Sequence, residues 1–85
     1  MIIKGEIIEL ENEVVTTKDG NTLEKWDIVI ANQYDTFYLV SFGTKPTNIT
    51  VGAKVSVVAQ NNVHIFNNKK YNKLTCKISK MKIDN

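Results

Sequence analysis

Apolar and polar positions alternate with a period of two along most of this 85-residue chain, the repeat of strands with one buried face. Ile2 to Leu10 is a β-branched run interrupted by Lys4, Gly5, Glu6 and Glu9, which predicts a first strand that bulges or bends at Gly5. Glu11-Asn12-Glu13 interrupts it, and Val14 to Thr17 either continues the strand past a bulge or forms a second short extended piece. Lys18-Asp19-Gly20-Asn21 predicts a tight hairpin turn, because Asp-Gly supplies the positive φ angles that such turns require. Thr22 to Ala31 follows as a second strand with Trp26, Ile28 and Ile30 on one face and Lys25, Asp27 and Val29 on the other. That alternation assigns Trp26 to the core rather than to a ligand platform.

After the polar connection Asn32-Gln33, Tyr34 to Phe42 predicts a third strand, with Phe37, Leu39 and Ser41 alternating against Tyr38, Val40 and Phe42. Both faces carry an aromatic, so whichever face packs inward, the other leaves rings at the surface. Gly43 to Asn48 is rich in breakers and predicts a loop with at most one helical turn. Val51-Gly52 leads into a fourth strand from Ala53 to Gln60, with Val55 and Val57 facing one way. Asn61-Asn62 is either a turn tip or the start of a longer arm. Val63 to Phe66 is extended, and Asn67-Asn68-Lys69-Lys70 is a polar tip before the last strand. In that strand Tyr71, Lys73, Thr75 and Lys77 share one face, and Asn72, Leu74, Cys76 and Ile78 the other.

Charge changes this picture more than composition does. The net charge of +2 conceals a polarity: up to Thr44 there are three lysines against eight acids, and from Lys45 onward eight lysines against Asp84 alone. The segment His64 to Lys82 is lysine-rich, free of acids and interleaved with Phe66 and Tyr71. A cationic face with rings suits a nucleic-acid backbone, since lysines neutralise phosphates and a flat ring stacks on any base. The bland alternative is a solvated lysine face. Arginine is absent, and lysine lacks the planar fork that reads a guanine edge, so backbone contact is expected over base-specific readout.

Other chemistries find little support. A chain this short is expected to form one domain, and no apolar run approaches the ~20 residues of a membrane span. The start, MIIKGEIIEL, has no signal-peptide layout, so a cytoplasmic location is expected. One cysteine and one histidine provide neither an internal disulfide nor a zinc site, and Cys76 reads as a small core residue. No phosphate loop, nucleophile elbow or HExxH motif occurs, which argues against an enzyme and against a cofactor. Glu9, Glu11 and Glu13 share a strand face but lack a calcium-loop pattern, and read as a solvated rim.

About five strands, a bulged first strand, an Asp-Gly hairpin and a short third-to-fourth connection match the element order of an oligonucleotide-binding (OB) barrel. More specifically, Thr16 to Gly20 followed by Leu23 to Ile30 resembles the first turn and second strand of bacterial and phage single-stranded DNA-binding proteins. Phe37 to Gly43, ending in an aromatic-glycine pair, resembles their third strand, and Val51 to Val57 their glycine-led fourth. The chain also resembles related small bacterial domains in which an Asn/Gly-rich aromatic hairpin, here Phe66 to Tyr71, precedes the last strand. The resemblance implies an all-β, five-stranded OB-fold barrel with little or no helix, and puts Phe42 at the stacking position with Tyr38 beside it. It departs from the family pattern in having no acidic tail and almost no helix between strands 3 and 4, which argues against recruitment of replication enzymes and against the usual tetramer.

The expected activity is sequence-tolerant single-stranded DNA binding of phage or plasmid type. Tyr38, Phe42, Phe66 and Tyr71 are assigned to stacking, and Lys25, Lys69, Lys70, Lys73 and Lys77 to phosphate contacts. RNA is a weaker alternative ligand, and a homo-oligomer, with a dimer favoured, is the expected assembly. The rival is a protein-interaction module, an inhibitor or subunit, that uses the aromatic patch as its interface.

Overall fold

In the computed structural model, which describes residues 1–84, the alternating segments fold as β1 (Ile2–Thr16), β2 (Thr22–Ala31), β3 (Thr36–Phe42), β4 (Lys54–Phe66) and β5 (Lys69–Cys76). A 3₁₀ turn (Ile78–Lys80) and a short β6 (Lys82–Ile83) follow. The hydrogen-bonded order is β1-β2-β3-β5-β4, and β4 pairs back onto β1, so the five long strands close a ring. Every pairing is antiparallel except β3 with β5, where Leu39 faces Leu74 and Val40 faces Thr75. The all-β class is as expected, and the ring is compatible with an OB-like fold.

β1 closes the ring because it serves two partners. Ile2 to Glu6 pair with β4, and from Glu6 onward the strand pairs with β2. Gly5 sits at the handover: a Cβ there would collide with the Ala31 carbonyl and approach Ile30 Cγ2 to 2.8 Å. Glycine is therefore needed for close backbone approach, while the bulge itself falls at Ile8, between the pairs Ile7–Ile30 and Glu9–Val29. Glu11-Asn12-Glu13 does not interrupt the strand. These residues pair with Asp27, Trp26 and Lys25, since ladder hydrogen bonds come from the backbone and tolerate polar side chains where both faces are wet.

Two further boundaries differ from the sequence reading for identifiable reasons. β3 starts at Thr36 rather than Tyr34, because the Asn32 side-chain oxygen accepts from the N–H groups of Tyr34 and Asp35 (2.9 and 3.0 Å) and holds them in a turn. β4 runs unbroken through Asn61-Asn62 to Phe66, and the turn is Asn67-Asn68, both with positive φ (50° and 64°). Asparagine tolerates that region, so the pair forms a two-residue hairpin turn, and Lys69 and Lys70 belong to β5. The result is a two-stranded arm from Asn61 to Leu74.

The core fills the ring with Ile3, Ile7, Ile28, Ile30, Leu39, Val55 and Val57, joined by Ile49 from the β3–β4 loop and by Ile78 and Met81 from the segment after β5. Lys45 shapes the loop by donating to the carbonyls of Pro46 (3.1 Å) and Ile49 (2.7 Å). Ser41, the buried polar residue on the inner face of β3, accepts from the Ile78 N–H at 2.8 Å and so anchors the 3₁₀ turn. That turn lies where a longer final strand was expected.

Candidate nucleic-acid interface

The outer face of the ring is set by strand register. On β2, Lys25, Asp27 and Val29 stand opposite Phe42, Val40 and Tyr38 of β3. The pair Val40–Thr75 carries this face onto β5, where Thr75, Lys73, Tyr71 and Lys69 stand opposite Gln60, Asn62, His64 and Phe66 of β4. Because successive strand residues point to opposite faces, Lys25, Tyr38, Phe42, Lys73, Tyr71, Phe66 and Lys69 all lie on one continuous outer surface. Tyr38 and Phe42 are 56% and 51% exposed, while Val40 between them is only 4% exposed. A valine covered by its own neighbours forms an apolar floor between two rings.

The remaining predicted residues sit elsewhere. Lys77 is exposed just beyond β5, at an open recess lined also by Val58, Gln60, Thr75, Cys76 and Lys80. Lys70 falls on the opposite side of the arm, across from Ile65. Tyr71 and Phe66, on the outer side of the arm, are exposed. Trp26 packs against the core, with its Nε1 donating to the Gly43 carbonyl at 3.0 Å and the Lys45 ammonium 5.8 Å from the ring centroid.

Asp27 and the β1 acids form a feature of the face that period-two reading alone did not reveal. The Tyr38 hydroxyl donates to Asp27 Oδ1 at 2.5 Å. That hydrogen bond, then burial and the negative charges of Asp27 and Glu11, pushes the Tyr38 phenol above its ordinary pKa. Glu9, Glu11 and Glu13 pair with Val29, Asp27 and Lys25, so the acids extend the same surface onto β1. The face is therefore acidic on its β1–β2 side and basic along β5 and the arm. The acids' spacing was visible in the sequence, but their position beside Tyr38 depended on the β1–β2 register. Among the described residues no group of three or more His, Cys, Asp or Glu side chains is arranged to hold a metal ion.

Cys76 packs against the core beside Ser41. Burial pushes its thiol up to about 11, against the smaller opposite effect of the Ser41 hydroxyl. A thiol held protonated at neutral pH is neither a nucleophile nor a ready metal ligand. Compared with known proteins, the chain matches no family model, no curated protein and no solved structure.

Proposed function

We propose that this protein binds single-stranded DNA without sequence preference, along a path from Phe42 and Tyr38 on β3, across Thr75, to Lys73, Tyr71, Phe66 and Lys69 on the arm. The observation that carries this reading is the continuity of that outer face, in which exposed rings and lysines alternate over neighbouring strands. Rings offer sequence-tolerant stacking, and lysines offer phosphate neutralisation without base-edge readout. The acids on β1 and Asp27 repel phosphates. They bias the backbone toward the β5 side of the face and leave the β2–β3 rings to the bases.

Fluorescence anisotropy of a labelled oligo-dT strand titrated with the protein at low and moderate salt tests the proposal. Saturable binding that weakens steeply with salt is expected. Absence of binding at low salt, or binding insensitive to salt, overturns it. An oligomer that buries Tyr38 and Phe42 and ignores DNA would make this face a protein interface, and a marked preference for oligo-U over oligo-dT would reassign the ligand to RNA.

A further inference from the structure

The arm has a second face that the DNA-binding proposal does not use. Val63 and Ile65 are 60% and 70% exposed and share this side with Lys70, opposite the side that carries Phe66, Tyr71 and Lys73. The arm reaches about 15–20 Å beyond the ring as a two-stranded ribbon, a structure of marginal stability, and Val63, Ile65, Phe66 and Tyr71 on it are all at least half exposed. A counterpart lies elsewhere on the chain. The last pair between β2 and β3 is Lys25–Phe42, so the β1–β2 hairpin from Glu13–Lys25 to Thr16–Thr22 also overhangs the ring, with Leu23 exposed on the side that carries Glu11 and Glu13.

The two overhangs are opposite in charge. The arm carries Lys69, Lys70 and Lys73 and no acid, whereas the hairpin and its base carry Glu11, Glu13, Asp19, Glu24 and Asp27 against Lys18 and Lys25. They also leave the ring at opposite ends of β3. The hairpin extends past Phe42, whereas β5, running parallel to β3 with Leu74 at Leu39, places the arm beyond Thr36. One molecule therefore cannot bring its own arm onto its own hairpin.

From this juxtaposition we infer that the arm of one copy docks on the β1–β2 hairpin of a second copy. Val63 and Ile65 lie against Leu23, and Lys70, on the same side of the arm, stands near Glu11 and Glu13, on the same side of the hairpin as Leu23. Arm-to-arm contact sets lysines against lysines, and hairpin-to-hairpin contact sets acids against acids, so like charge excludes both symmetric pairings. Contact between different surfaces at opposite ends is heterologous, and it propagates into open chains rather than closing as a dimer. The inference is independent of the DNA-binding proposal, because the arm face it uses is not the one assigned to the strand.

Sedimentation velocity on the full chain without nucleic acid tests this. The wild type is expected to show a weight-average mass that grows with concentration past twice the 9.6 kDa monomer and returns toward monomer as salt rises. Ile65→Lys should abolish every species above the monomer. Glu11→Lys/Glu13→Lys and Lys70→Glu should each be monomeric alone, and an equimolar mixture should associate again, which misfolded variants could not do. A wild type that stays monomeric at all concentrations, growth that stops at the dimer, or a mixture that fails to associate would overturn the inference.

Discussion

Stacking and charge make different contributions to binding, and substitutions on the same face can separate them. Counting one phosphate for each of Lys25, Lys69 and Lys73, at about 0.7 of a counterion per single-strand phosphate, gives a log-log salt slope of about −2. A roughly fourfold rise in salt then weakens wild-type binding about 20-fold. Lys73→Gln removes one contact, so its slope falls to about −1.4 and the same salt step costs only about 7-fold. Phe42→Ala acts differently. Its ring is half exposed beside the Val40 floor, and loss of one stacked base costs about 1–3 kcal/mol, or roughly 5- to 150-fold in affinity, at every salt concentration with the slope unchanged. Lys70→Gln, on the far side of the arm, should change the slope less than Lys73→Gln. The assay is anisotropy with labelled oligo-dT across a salt series. If Phe42→Ala flattened the slope while Lys73→Gln left it intact, the division of labour would be refuted, and if neither changed binding, the face would be the wrong one.

Two predictions concern the scaffold. Gly5→Ala places a Cβ against the Ala31 carbonyl, a backbone atom that cannot swing away, and should cost about 3 kcal/mol in urea-induced unfolding; a loss below about 1 kcal/mol would show that the β1 handover tolerates a side chain. Cys76 gives a pH dependence: its thiol ionises near 9.0 when unfolded and at about 11 when folded, so the folded state binds more protons between those values. Stability is therefore flat below the lower value and falls as pH rises through this window, by at most about 2 kcal/mol given the partial exposure of the site. Unfolding midpoints of wild type and Cys76→Ala across alkaline pH check this, and equal slopes for the two proteins would refute it.

The residue pattern by itself determined the strands and their inner faces. Ile28 and Ile30 alternate with Asp27 and Val29, and Val55 and Val57 with Lys54, Ser56 and Val58, which marks the buried side of β2 and β4, whereas both faces of β3 carry an aromatic. Turn chemistry was equally local, with Asp19-Gly20 closing the first hairpin. The exposure of Tyr38 and Phe42 followed from the same alternation once Phe37, Leu39 and Ser41 were taken inward. Strand ends were less legible. The turn that delays β3 depends on one side-chain oxygen of Asn32, and the continuity of β1 through Glu11-Asn12-Glu13 depends on a partner strand far along the chain.

Only the tertiary structure decided what lies beside what. Period two says which face a residue takes but not which strand is its neighbour, because pairing and register are set between segments distant in sequence. Closure through β1–β4 and the parallel β3–β5 pair places Thr75 beside Val40, and so joins the basic arm to the aromatics of β3. The one-residue slip at Ile8 sets Glu11 opposite Asp27 and brings the acid row alongside Tyr38. Lys69 and Lys70 are adjacent in sequence and alike in charge, yet the ladder sends them to opposite sides of the arm, one beside Phe66 and the other beside Ile65.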